Sequence, residues 1–141
     1  MKCTQAVQAA VAAKLARMLT NETIRAAVEL WCDPNTRPEI VEKYGVIGEW
    51  DVSGVTDMSR LFRGRHEFND DISSWDTANV VNMSFMFSNA SSFNQPVEGL
   101  DTANVTTMGS MFSGASSFNQ PVEGLDTANV VSMRSMFSGA S

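Results

Sequence analysis

Histidine and tyrosine occur once each in this 141-residue chain, cysteine twice and proline four times. No run of about 18 apolar residues is present, so no segment reads as a membrane-spanning helix. Cys3 and Cys32 are too few for a disulfide framework or a thiolate cluster, and they leave the redox compartment open. A lone His66 excludes a zinc motif built on paired histidines. No phosphate-cradling glycine loop and no Ser–His–Asp arrangement is written in the chain. The chain therefore reads as non-enzymatic, because an active site needs unlike groups converging once.

Basic residues are also missing from one half. After Glu67 the only base is Arg134, against Asp70, Asp71, Asp76, Glu98, Asp101, Glu123 and Asp126. Up to Glu67 the charges balance, so the second half carries the whole net charge of −6. Such a surface repels phosphate backbones, which excludes nucleic acid as the main ligand. Cations or basic partners suit it, and plain solubility is the alternative. The opening "MKCTQAVQAAVAAKLARMLTN" holds no acid and is too interrupted for a secretory core. Residues 1–20 are read as a tail or leading helix, with a transit peptide as the alternative.

What the chain has is repetition. "FNQPVEGLDTANV" stands at Phe93–Val105 and again at Phe118–Val130, with a looser copy at Phe68–Val80. Aligned at this spacing, apolar columns emerge: Ile47/Ile72/Val97/Val122, Trp50/Trp75/Leu100/Leu125, Val55/Val80/Val105/Val130 and Met58/Met83/Met108/Met133. Leu61/Met86/Met111/Met136 and Phe62/Phe87/Phe112/Phe137 follow, and Phe68, Phe93 and Phe118 open their units. Fixed self-similarity of this kind is the mark of a stacked array, in which each unit buries its apolar face on its neighbours.

In "NVTTMGSMFSGA", the spacing of Val105, Met108, Met111, Phe112 and Ala115 predicts a short helix, with Gly114 and Gly139 near its stop. "FNQPVEGLD", with Pro96 and Gly99, predicts a short extended segment and a turn. The expected fold class is thus α/β: a right-handed solenoid with short parallel strands and short helices. Residues 46–141 form its array of about four 25-residue units. The last unit is incomplete, which suggests a fragment or an end covered by another chain.

Residues 21–45 read as a helical N-terminal cap. Ile24, Ala27, Val28 and Trp31 share one helix face. Thr36 and Glu39 stand in capping-box spacing, with Pro38 in the first turn and Gly45 as the stop.

"WDVSGVTDMSRLF" (Trp50–Phe62), "WDTANVVNMSFMF" (Trp75–Phe87) and "FNQPVEGLDTANVTTMGSMF" (Phe93–Phe112) resemble the BspA-type leucine-rich repeat surface proteins, which include bacterial and mycoplasma surface lipoproteins and versions in microbial eukaryotes. The resemblance covers residues 24–141. It departs from the family pattern in reading Ala for Ser within "DTAN" and Leu for Trp at Leu100 and Leu125. It implies a leucine-rich-repeat-like solenoid used for binding, often at cell surfaces and in adhesion.

The candidate sites are columns. Asp51, Asp76, Asp101 and Asp126 form a carboxylate row that would bind cations, calcium first, or raise its own pKa values. The alternative is that each aspartate opens a turn by accepting nearby backbone N–H groups. The rows Asn69/Asn94/Asn119 and Asn79/Asn104/Asn129 read as internal satisfiers of backbone groups. Thr77, Thr102 and Thr127 suggest an ice-binding face only weakly, since no paired threonines accompany them. The methionine columns read as core, not as a metal or promiscuous groove. Gln95, Glu98, Gln120 and Glu123 are the candidate binding surface. The expected function is a scaffold for a protein partner or a glycan; the alternative is a calcium-dependent extracellular structural protein.

Overall fold

The computed structural model describes residues 2–140, with side chains from Thr4 onward; the Cys3 side chain lies outside the described part. Three helices come first: α1 (Lys2–Arg17), α2 (Thr23–Cys32) and α3 (Arg37–Tyr44), followed by a short 3₁₀ turn at Ile47–Glu49. None is long and apolar enough to cross a membrane. α2 forms because its apolar residues recur on one face, and Ile24, Ala27, Val28 and Trp31 are all buried there. α3 starts at Pro38 in its first turn and stops at Gly45, whose φ of 83° needs a glycine. The capping box expected at its start does not form. Thr36 Oγ1 instead donates to the Leu30 carbonyl at 2.7 Å, closing the α2–α3 connection.

Beyond residue 49 the chain is turns. The expected α/β solenoid, with a short strand and a short helix in each unit, is corrected: among the described residues there is no strand, and no helix lies in the repeats. Parallel pairing is confined to single bridges, Asp57 to Asn82, Asn82 to Thr107 and Thr107 to Ser132, plus Met18 to Asp51.

Two rows of left-handed residues explain the difference. Arg60, Phe85, Ser110 and Ser135 have φ of 56–60°. Four residues further on, Gly64, Asn89, Gly114 and Gly139 have φ of 60–76°. A left-handed residue ends a helix and bends an extended chain, so neither element propagates through this stretch. At Gly114 a side chain is excluded twice, by φ and by a Cβ that would run into Asn89 Oδ1.

The backbone donors then alternate. The N–H groups of Met111, Ser113 and Ala115 close turns onto carbonyls three residues back. Those of Met108, Ser110, Phe112 and Gly114 donate to Ser132, Arg134, Met136 and Ser138 in the next repeat, at 2.8–2.9 Å. The same alternation holds in the copies before it, for example Met58 to Asn82 and Phe62 to Met86. Each repeat is thus hydrogen-bonded to the next across 24 residues. In the last copy, the N–H groups of Met133, Ser135, Phe137 and Gly139 meet no acceptor among the described residues.

This stacking sets like residue over like. The rings of Phe62, Phe87, Phe112 and Phe137 lie 5.5–5.6 Å apart and nearly parallel. Phe68, Phe93 and Phe118 form a second column, each about 4 Å from a ring of the first. Trp50 and Trp75 stack at 6.2 Å, and their indole N–H groups donate to the carbonyls of Gly45 and Ile47. Val55, Met58, Met83, Met86, Val105 and Met108 fill the remaining interior, fully buried. Val131, Met133 and Phe137 at the far end are exposed.

The cap ends the stack at its start by imitating a repeat. The carbonyls of Asn82 and Ser84 receive N–H groups from the repeat below, but their first-repeat counterparts, Asp57 and Ser59, have no repeat below them. Arg25 of α2 donates to both instead, at 2.6 Å to Ser59 and 3.3 Å to Asp57, and pairs with the Asp57 carboxylate at 3.4 Å. Asn21 Oδ1 takes the Thr56 and Asp57 N–H groups. Before α2, Leu19 is buried and donates to the Asp51 carbonyl.

Two outcomes follow. Phe112 is fully buried between Phe87 and Phe137, so Phe112→Ala should lower stability by about 3–5 kcal/mol, read from the denaturant midpoint. Burial of Asp57 works to raise its pKa, but hydrogen bonding from Ser59 and the charges of Arg25 and Arg60 outweigh it and hold the carboxyl below the usual carboxylate range. A lowered folded pKa stabilises above the unfolded value of about 3.9 and is lost as pH falls through the folded one. The melting temperature should therefore fall below about pH 4, and Asp57→Asn should make that fall shallower.

Candidate functional site

The rows that looked like sites are occupied by the stack. Asp51, Asp76, Asp101 and Asp126 each accept the N–H two residues on, from Ser53, Ala78, Ala103 and Ala128, at 2.9–3.2 Å. Each opens the turn that follows it. Only one carboxylate per repeat enters the row, and among the described residues no three His, Cys, Asp or Glu side chains come together as a metal-holding group.

The amides are spent between repeats. Gln95 donates to the Asn69 carbonyl and Gln120 to that of Asn94. Asn69 and Asn94 accept the N–H of the residue one repeat on. Asn79, Asn104 and Asn129 reach back to the carbonyls of Ser53, Ala78 and Ala103. Thr77 and Thr102 are buried and donate forward to the Asp101 and Asp126 carbonyls, while Thr127 is exposed. Glu98 is exposed and accepts the Gly124 N–H at 3.3 Å; Glu123 is exposed.

Two hollows remain. The first, about 430 Å³, lies between the cap and the first repeat. Its polar groups are largely held. Arg37 lies over the Trp31 ring and donates to the Trp31 carbonyl, and Asp70 accepts the Trp31 indole N–H. Burial pushes the Cys32 thiol pKa up, against the opposing charges of Arg65 and Arg37, so the thiol is not an activated nucleophile. His66 Nδ1 stands 3.4 Å from Ser91 Oγ at an exposed position.

The second, about 340 Å³, crosses the repeats along the bridge row. Asn82, Thr107 and Ser132 form one wall. Phe85, Ser110 and Ser135, all left-handed, form the other. Ser84, Gly109 and Arg134 complete the lining. Asn82 Oδ1 accepts from the Ser84 N–H, the Ser84 hydroxyl and the Thr107 hydroxyl, which leaves its amide N–H groups turned to other use. Phe85 is half-buried, and Arg60 and Arg63 both lie over its ring, at 5.1 and 5.4 Å. Arg60, Arg63 and Arg134 form no ion pair among the described residues. No carboxylate lines this groove, on a half of the chain that is otherwise acidic.

Sequence reasoning missed this groove. Its signal was Phe85, the one ring in a row otherwise filled by Arg60, Ser110 and Ser135. A bulky residue with φ near 60° is rare, and here the backbone turns its side chain out of the core. Phe85→Ser should therefore change stability by less than about 1 kcal/mol, while Phe87→Ala, one row inward, costs about 3–5 kcal/mol. Parallel denaturant melts of the two variants check the contrast.

No curated protein and no solved structure matches the chain. A family model described as Mycoplasma protein of unknown function, DUF285, matches residues 38–141, that is, α3 and all the stacked repeats, and the chain belongs to that family.

Proposed function

We propose that the chain is a non-enzymatic binding scaffold, which holds a protein or a glycan against the outside of its stack, as in adhesion at a cell surface. The observation that carries this reading is the groove beside Phe85. Across the repeats, amides, hydroxyls and aspartates are largely committed to one another, Asn82, Ser84 and Thr107 of the groove included. Here Arg60 and Arg63 lie over the Phe85 ring and Arg134 lines the groove two repeats further on, none of the three in an ion pair among the described residues and with no carboxylate among the lining residues. Guanidinium groups outside ion pairs and a half-buried aromatic at the surface are groups that bind partners.

The rival readings draw less support. A single carboxylate per repeat, already accepting a backbone N–H, is a sparse set for calcium, which takes six to eight oxygens. For catalysis, no nucleophile among the described residues is paired with an oriented base: burial raises the Cys32 thiol pKa, and His66 Nδ1 lies 3.4 Å from the Ser91 hydroxyl at an exposed position.

Arrays carrying both glycans and peptides test the reading, probed with the intact chain and with Phe85→Ser/Arg134→Ser. At least one class should retain the native chain and lose the variant. No signal that depends on these two residues, on either array, overturns the scaffold as drawn.

A further inference from the structure

The groove's chemistry narrows the ligand. Beside the Phe85 ring, the polar groups its lining leaves uncommitted among the described residues are the Asn82 amide nitrogen, the hydroxyls of Ser110, Ser132 and Ser135, and Arg134; the Ser84 and Thr107 hydroxyls already donate to Asn82 Oδ1. A peptide partner is gripped by apolar anchors seated in pockets. Nothing of that kind is built here, since Phe85 is the one hydrophobic side chain in the lining. Hydroxyl and amide groups spread along an open trough instead pair with a ligand that itself carries many hydroxyls.

Charge adds the second element. Arg60 and Arg63 lie over the Phe85 ring in the direction of the first repeat, and Arg134 sits in the last. The ring holds the two guanidinium groups in place, which lowers the entropy lost when they bind. Planar guanidinium forks match carboxylate and sulfate oxygens. Three inter-repeat steps of about 4.8 Å separate the two ends, or roughly 15 Å. That span calls for an extended ligand with anionic groups on separate units.

We propose that the groove between Asn82–Thr107–Ser132 and Phe85–Ser110–Ser135 binds an anionic glycan, a carbohydrate chain bearing carboxylate or sulfate groups. Arg60 and Arg63 take its acidic group at one end and Arg134 at the other, and the hydroxyl and amide row reads the sugar hydroxyls between them. This rests on the scaffold reading and names its ligand class.

Calorimetric titration of the intact chain tests it, with four probes: an oligogalacturonate, a heparin oligosaccharide, dextran and poly-L-glutamate. Phe85→Ser and Arg134→Ser are the variants. Each installs a residue that the stack already carries in that row, as Ser110 and Ser135 or as Ser59 and Ser84, and thermal melts verify that both fold. At least one acidic oligosaccharide should bind, with affinity at least about tenfold weaker in the double variant. Dextran should not bind, and polyglutamate should show no dependence on the two residues. If polyglutamate or dextran binds with the same loss in the variants, the scaffold stands and the glycan assignment falls. If acidic oligosaccharides fail to bind, or bind the variants equally well, the glycan assignment falls, and the arrays then decide the scaffold separately.

Discussion

The hydrogen bonds between repeats are the constraint that the rest of the structure obeys. Four alternate N–H groups in each repeat must find carbonyls 24 residues further on, as Met108 finds Ser132 and Gly114 finds Ser138. A repeat of another length would shift every donor off its acceptor. With the main chains registered in this way, side chains have no choice but to stack on their own kind. The parallel phenylalanine columns follow from the backbone register. So does the uniform burial of methionine and valine, since every interior repeat offers the same space. The stack's first end obeys the same constraint through different atoms. There the Arg25 guanidinium and the Asn21 amide stand where a repeat's own main chain would be.

The sequence made part of this legible. Apolar columns could be read off because burial recurs at the same place in each copy, and Ile24, Ala27, Val28 and Trp31 marked α2 in the same way. The local conformation could not. Val105, Met108, Met111, Phe112 and Ala115 have helical spacing and do all face inward. They reach the interior through turns, because Ser110 and Gly114 are left-handed. Gly114 carries a trace of this in its identity. Arg60, Phe85 and Ser110 carry none, for such residues rarely adopt positive φ. Arg25 and Asn21 were equally silent, since their partners lie more than 30 residues away.

The candidate site shows the same division. Regular columns attracted attention in the sequence because repetition looks like design for a ligand. In the folded chain repetition serves the stack: Gln95 and Gln120 bind neighbouring repeats, and the aspartates shape turns. A surface with distinct chemistry arises where a column is broken. Phe85 among serines, Gly109 one repeat on and Arg134 two repeats on are such breaks, and all three line one hollow. In this chain, departures from the repeat are where the chemistry of the surface changes.

The alternation of donors also gives the stack an electrical direction. In the segment from Met58 to Gly64 and its copies, the inter-repeat N–H groups all point away from the cap. Aligned peptide groups add their dipoles, as they do along a helix. Carbonyl oxygens face the cap, where the positive Arg25 meets them, much as a basic residue meets the carboxyl end of a helix. The edge formed by Met133, Ser135, Phe137 and Gly139 is the opposite pole and presents only donors from these positions.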